Sequence, residues 1–441
     1  MAAPATSLDI RHSLLRRIAE ARERTDALFA IVRPGSLYER PIPERHRLVF
    51  YLGHLEAFDW NLLGEWTLDL GPFKPGFDKL FAFGIDPVGG HLPADGANEW
   101  PQIPEIHAYV LGVRTELDRA LASARVAPRA REYFDNGWLL NTALEHRLMH
   151  AETIAYLIHH LPYHRKYSLR ERHLSSSGSA PARKVQIPAG EVTLGLERGS
   201  GFGWDNEFEA HRVHVEKFSV DAYPVTNGQF ADFVAAGGYA ERACWTADDF
   251  NWIRDRGMPH PLLWIRHENE WFYRGMFDEI LLPLDWPVYV SHAEASAYAR
   301  WKNAKLPTEA QWHRAAYGTP SGYENAFPWG WGTPDATRGN FDFHRWDAAP
   351  VTSHPAGRSA FGAGDLVGNG WEWTSTVFAP FRGFRPAPFY PGYSADFFDG
   401  RHYVMKGGSS RTAACMLRRS FRNWFQPHYP YIYAKFRCVE D

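Results

Sequence analysis

The sequence predicts two domains of different class: an all-α four-helix bundle over 1–167 and an α+β domain over 185–441, joined by a linker at 168–184. Three observations predict it. The first part holds four long stretches with apolar residues at helical spacing. The segment SLRERHLSSSGSAPARK at 168–184 is rich in Ser, Arg, Gly and Pro, as linkers are. From Val185 onward, short β-prone runs alternate with turns. The 18 Trp concentrate in this second half, more than helix packing needs, which points to a loop-rich fold held by aromatic plugs. A chain of 441 residues with 45% apolar and 22% charged residues has enough apolar material for large cores.

The elements follow in order. Leu14, Leu15, Ile18, Ala21, Leu28 and Ile31 define a first helix over 8–34, ended by Pro34-Gly35. After Pro43, residues 44–68 form a second long helix that carries His54. Residues 69–100, rich in Gly, Pro and Asp, form a long loop. A third helix covers 103–124. The fourth covers 130–160, has one Gly (Gly137) and no Pro, and ends near Leu161-Pro162. Helices of this length read as an antiparallel bundle, where metal sites are built from inward side chains on facing helices. In the second domain, the β-prone runs are 185–195, 211–226 and 285–291. Short helices are expected near 227–236, 293–302 and 308–316, with the remainder irregular.

Net charge is -3 with Lys and Arg spread along the chain, so nothing points to nucleic acid or an anionic membrane as partner. Cys244, Cys415 and Cys438 form no CxxC, which excludes a disulfide framework and a zinc–cysteine site as readings. The start lacks an apolar core of signal-peptide length and no apolar run is long enough to span a membrane, so a cytoplasmic protein is expected.

The candidate site lies on the fourth helix. His146 and His150 are four apart, which stacks their imidazoles on one face, one turn apart. Glu152 follows two residues later, a carboxylate able to back a pair of ligands. His54 on another long helix is the third candidate ligand; taken alone, it reads equally as a buried histidine bonded to a backbone carbonyl. Three neutral histidines leave coordination positions open, which favours catalysis over a closed structural site. His159, His160 and His164 read as surface or helix-end groups.

A resemblance enters through ordered motifs in the second half. They are Pro188-Ala189-Gly190-Glu191-Val192, Tyr223-Pro224-Val225-Thr226-Asn227, Pro287-Val288-Tyr289-Val290-Ser291, Lys305-Leu306-Pro307-Thr308-Glu309, Gly368-Asn369-Gly370-Trp371-Glu372-Trp373, Lys406-Gly407-Gly408-Ser409 and Phe436-Arg437. Together they resemble the formylglycine-generating-enzyme (sulfatase-modifying-factor) domain, which implies a C-type-lectin-like fold. The first half resembles the DinB metal-binding bundle through Gly53-His54 and the His-x3-His-x-Glu pattern. The combination is similar to the non-haem iron sulfoxide synthases of ergothioneine biosynthesis. The resemblance implies Fe(II) on His54, His146 and His150, O2 as co-substrate, and hercynine, the trimethylated histidine betaine, as substrate. It implies Asn423 and Trp424 as hercynine contacts, although Trp424 reads equally as one more core plug. It also implies Tyr390 as proton donor and Tyr393 as pocket lining. The cysteine pair of true formylglycine generators is missing, so peptidyl-cysteine oxidation is rejected.

One departure bears on the co-substrate. Members that use γ-glutamylcysteine carry an Asp and an Arg where this chain has Phe425 and Tyr429, and neither aromatic can pair a charge. Arg382, Arg385 or Arg422 would be the alternative sources of charge. An aromatic wall of Phe425, Gln426, His428, Tyr429 and Tyr431 suits a sugar, so the expectation leans to the selenoneine synthase branch, which joins a selenosugar to hercynine. A hercynine sulfoxide synthase using cysteine or another thiol is the close alternative. A zinc-dependent DinB-type thiol transferase and a non-catalytic binding protein are the rival classes.

Overall fold

The computed structural model describes residues 7–82, 95–123, 125–169, 173–174, 176, 178 and 182–440. The chain divides into two compact units, Met1–Leu169 and Arg170–Asp441. Much of the expected linker, and residues 83–94 of the expected long loop, lie outside the described residues.

The first unit is helical. Its elements are α1 (Ser7–Ile31), α2 (Leu48–Asp59), α3 (Pro75–Leu80), α4 (Ile103–Ser123), α5 (Arg131–Asp135) and α6 (Trp138–His160). Helix α1 packs on α6, and α2 packs on both α4 and α6. Almost all of α2 is buried, from Leu48 through Ala57. That position, with neighbours on several sides, makes it the natural carrier of an interior site.

Four expectations are corrected here. The second helix starts at Leu48 rather than 44, and beyond Asp59 it continues as a π-helical stretch, Trp60–Thr67. The expected loop 69–100 contains α3. The fourth helix is not continuous from 130: Gly137 takes φ 72°, a left-handed conformation open to glycine, and splits α5 from α6. His159 is not a surface group. It is fully buried, and Lys166 Nζ caps the helix by donating to the Ile158 and His159 carbonyls at 2.8 and 3.1 Å.

The second unit is a set of small sheets with short helices. Strands β1 (Lys184–Ile187), β2 (Gly190–Leu194), β3 (His211–Val215) and β4 (Phe218–Asp221) precede helices α7 (Asn227–Ala235) and α8 (Ala247–Arg256). A hairpin sheet follows, β5 (Trp264–His267), β6 (Glu270–Arg274) and β7 (Glu279–Leu281), then α9 (His292–Trp301) and α10 (Glu309–Tyr317). The last strands are β8 (Trp371–Val377), β9 (Tyr403–Lys406), β10 (Asn423–Phe425), β11 (Ala434–Lys435) and β12 (Val439–Glu440). The sheets are β1-β4-β12, β10-β9-β8-β11, β2-β3 and β5-β6-β7. This is the α+β, C-type-lectin-like domain the motifs implied.

Helices α7, α9 and α10 begin at reciprocal caps: Thr226 with Gln229, Ser291 with Glu294, and Thr308 with Gln311. The run 285–291 is not a strand. It makes one bridge, Pro287 to Thr226, because proline has no N–H to continue a ladder. Helix α8 and the β5–β7 sheet fall where irregular chain was expected.

The tryptophans act as plugs, with Trp286, Trp312 and Trp373 all buried to 1% exposure or less. Buried charges complete the interior. Arg437 forks onto Glu372 at 2.7 Å through both Nε and Nη2, and Trp312 Nε1 donates to the same carboxylate at 2.8 Å. Lys435 Nζ, fully buried, donates to the Asp365 and Gly368 carbonyls and to Asp365 Oδ2. Lys435→Met would leave Asp365 buried without its cation, and is expected to cost about 3 kcal/mol of unfolding free energy. Urea titration of the two proteins measures it, and an unchanged midpoint would refute the claim.

Candidate metal centre and aromatic cluster

Helix α6 presents His146 and His150 one turn apart, and α2 brings His54 to them. The Nε2 atoms converge: His54 to His150 is 3.2 Å and His150 to His146 is 3.1 Å, and one ligand atom from each lies within 4.8 Å of the others. A metal bonded at about 2.1 Å to two nitrogens holds them about 3.0 Å apart at a right angle and about 3.4 Å at the tetrahedral angle. The His54–His150 and His150–His146 spacings fall between these values, and with the third pair inside 4.8 Å the donor set fits a metal ion.

The ring orientations have visible causes. His54 Nδ1 lies 2.7 Å from the Phe81 carbonyl, so that nitrogen carries the proton and donates. The lone pair is then on Nε2, which faces the other two rings. The Nδ1 bond is the one the backbone-carbonyl reading of His54 expects, and it leaves Nε2 free of that carbonyl and turned toward His150. Phe58 stacks on His146 with centroids 3.4 Å apart, and Phe50 stacks on His54 at 4.8 Å. Phe81 reaches its place because residue 53 is glycine: a Cβ there would lie 2.5 Å from the Phe81 ring. Burial pushes His54 down to about 4 and holds His146 and His150 well below the ordinary histidine range. All three are neutral donors at pH 7.

Next to the triad, α2 and α6 are cross-linked by charge. Arg147 Nη2 bonds Glu56 at 2.8 Å and Asp59 at 2.7 Å, and Arg114 bonds Glu56 and Asp26. Burial alone would raise Glu56, but Arg147 and Arg114 hold its carboxyl below the usual range. This pairing fixes the register between the two helices that carry the three histidines. Glu152 is also buried. Two residues past His150, however, it projects from a different face of α6.

In the second unit, the sequence-predicted residues separate into two groups. Strand β10 alternates its side chains, so Trp424 and Phe425 point to opposite faces. Trp424 stacks on Phe378 with centroids 4.2 Å apart and stands near Phe397 and Tyr393 at 5.5 and 5.4 Å. Tyr390 is 5.6 Å from Tyr393, and Trp204 stacks behind Tyr393 at 3.9 Å. On the other side, Phe425 stacks on Tyr429 at 5.2 Å and Tyr429 meets Tyr431 at 5.0 Å. Asn423 shares the strand side of Phe425, and its Oδ1 accepts from the Trp424 backbone N–H at 2.9 Å.

Arg422 borders the Trp424 group, its guanidinium 5.0 Å from the Phe378 ring centre. It is buried, its Nε bonds Glu309 Oε1 at 3.0 Å, and its Nη1 donates to the Asn206 and Ala379 carbonyls. The guanidinium also lies 4.0 Å from the Phe381 ring centre. These bonds engage its Nε and Nη1 within the fold. Arg382 and Arg385 are exposed. Sequence reading missed Trp204, Phe378 and Phe397, which no spacing signal distinguishes from the other aromatics.

Fold and site together define a two-domain protein whose helical unit carries a buried cluster of three histidines that could hold a metal ion. Residues 17–154 match the DinB superfamily, and residues 172–441 match the sulfatase-modifying factor enzyme 1-like domain. The chain is 32% identical over 452 residues to the hercynine oxygenase of Mycolicibacterium smegmatis, covering 98% of this chain and 99% of that one. It is 35% identical over 451 residues to the hercynine oxygenase of Mycolicibacterium thermoresistibile, covering 98% and 95%. Ergothioneine biosynthesis protein 1 of Neurospora crassa matches at 29% over 508 residues, covering 92% of this chain and 55% of the relative. The chain belongs to the hercynine oxygenase family, a family of oxidoreductase-type enzymes.

Proposed function

We propose that this chain is a hercynine oxygenase that uses Fe(II) and O2 to join the sulfur of a thiol to the imidazole C2 of hercynine. The balance is one hercynine C–H, one thiol and one O2 giving the sulfoxide and one water. The observation that carries the reading is the convergent, neutral triad of His54, His146 and His150, in a chain aligned end to end with relatives of that name. Iron held there would supply O2 binding and electron transfer.

The chain's own residues would do the rest. The buried triad presents three lone pairs already oriented. Trp424, Tyr393 and Phe397 form an aromatic box suited to the trimethylammonium group by cation–π attraction. Tyr390, at the edge of that box, delivers a proton from its Oη during the oxidative step. Tyr390→Phe is expected to lower kcat about 100-fold with little change in KM, the usual scale for a lost general acid. Steady-state kinetics decides, and a kcat within threefold of wild type would remove Tyr390 from the mechanism.

The relatives' names favour the sulfur reading over carbon–selenium bond formation. Phe425 and Tyr429 are the observation that still favours a selenosugar: stacked on each other, they offer no charge to a peptide thiol. The donor test is direct. Iron-loaded protein with O2 and hercynine is offered cysteine, γ-glutamylcysteine and a selenosugar in parallel, and the adduct is identified by mass spectrometry. A thiol is expected to react fastest, whereas faster reaction of the selenosugar would shift the assignment to selenoneine synthesis. No helix among the described residues is long and apolar enough to cross a membrane, and the three cysteines form no disulfide. We place the enzyme in the cytoplasm.

A further inference from the structure

The loop from Ala387 to Ser394 carries Tyr390 and Tyr393, and it has little regular structure of its own. Asp205, far away in sequence, ties its C-terminal end. Its carboxylate accepts the Ser394 hydroxyl. Asn206 Nδ2 adds a bond to Ser394 Oγ at 2.9 Å. Ser394, Asp205 and Asn206 are all buried, so these bonds are shielded from water.

The same short segment contributes a ring. Trp204 stacks on Tyr393 at 3.9 Å with planes 24° apart, and Trp424 meets Tyr393 from another side at 5.4 Å. Tyr393 is thus held by Trp204 through its ring and by Asp205 through the residue that follows it. Keeping a carboxylate in this position is costly: burial pushes Asp205 up to about 6 against the bonds that favour its ionised form. A hydrophobic plug would secure the loop without that cost, but it could not fix Ser394 by a directional bond.

We propose that Asp205 and Ser394 are positioning residues that set selectivity for a quaternary ammonium over a primary one, by holding the Tyr393 ring rigid against Trp424. The inference rests on the hercynine reading of this aromatic box. Its physics is preorganisation: aromatic faces attract a trimethylammonium group only if they already stand around it, whereas a primary ammonium is served by any hydrogen-bonding group and by water. A loose Tyr393 therefore weakens hercynine more than histidine.

The test is calorimetric titration of hercynine and of histidine into anaerobic, iron-loaded enzyme. The proteins are wild type, Ser394→Ala, Asp205→Asn, the double variant and Trp424→Ala. For Ser394→Ala, hercynine Kd is expected to rise about fivefold, with histidine Kd and iron content unchanged. Asp205→Asn, nearly the same shape, should act in the same direction, and the double variant should be no worse than the stronger single one, because the two side chains share one bond. Equal weakening of both ligands, or unchanged hercynine affinity in both single variants, overturns the latch. If Trp424→Ala also leaves the hercynine-to-histidine ratio unchanged, the box reading itself fails.

Discussion

His150→Ala is expected to abolish iron binding and turnover together. His150 Nε2 is the common neighbour of the other two ligand nitrogens, at 3.2 Å from His54 and 3.1 Å from His146. Removing it leaves two imidazoles that no longer share a partner between them. Losing a ligand costs more than the 10- to 100-fold typical of an outer hydrogen-bonding partner, so a drop above about 100-fold in iron affinity is expected. Alanine is a strong helix former, and α6 is long, so far-UV circular dichroism should not change. Metal analysis after gel filtration and O2-electrode assays read the two effects. A variant that keeps one iron per chain and its turnover would remove the triad from the site.

The second large effect is expected at a residue that binds nothing. Gly53→Ala places a Cβ where the Phe81 ring now lies, at 2.5 Å. Phe81 is completely buried, so its ring cannot swing into solvent, and the clash must move the backbone of that segment. The Phe81 carbonyl, which orients His54 through Nδ1, moves with it. We expect a stability loss of about 1–3 kcal/mol from overpacking. Iron affinity should fall about 10- to 100-fold through loss of the orienting bond. A cycle with Phe81→Leu separates the two: the smaller side chain should relieve the clash, so the double variant should bind iron better than Gly53→Ala alone. Additive losses would show that the glycine acts elsewhere.

These two residues illustrate how much of the site was legible. The pair His146 and His150 follows from helical spacing alone, since residues four apart on any helix share a face. His54 required the bundle reading, which puts it on a facing helix, because no local rule joins residues 92 or 96 positions apart. Gly53 is visible as a motif glycine, yet its purpose is not. Nothing in the sequence says that residue 81 returns to cover it. Other residues were less legible for related reasons. His159 lies at the end of an apolar helical face yet is buried, and Lys166, from beyond the helix, bonds the Ile158 and His159 carbonyls there. Arg422 sits beside Asn423 and Trp424 in sequence, and its ion-pair partner Glu309 comes from another element. Trp424 and Phe425 are adjacent in the chain and opposed in space, as strand alternation demands once β10 is known to be a strand.

The sequence by itself determined the two-domain class, the order of the main helices, the places of α7, α9 and α10, and the histidine pair on α6. All of these depend on interactions within a few residues, where periodicity and capping chemistry act. Only the tertiary structure decided that three Nε2 lone pairs converge, that Phe81 holds His54, that Glu309 pairs with Arg422, and that Asp205 anchors the tyrosine loop. Those facts depend on where distant segments pack, and packing is set by the shape of the whole buried interior, which no local pattern encodes.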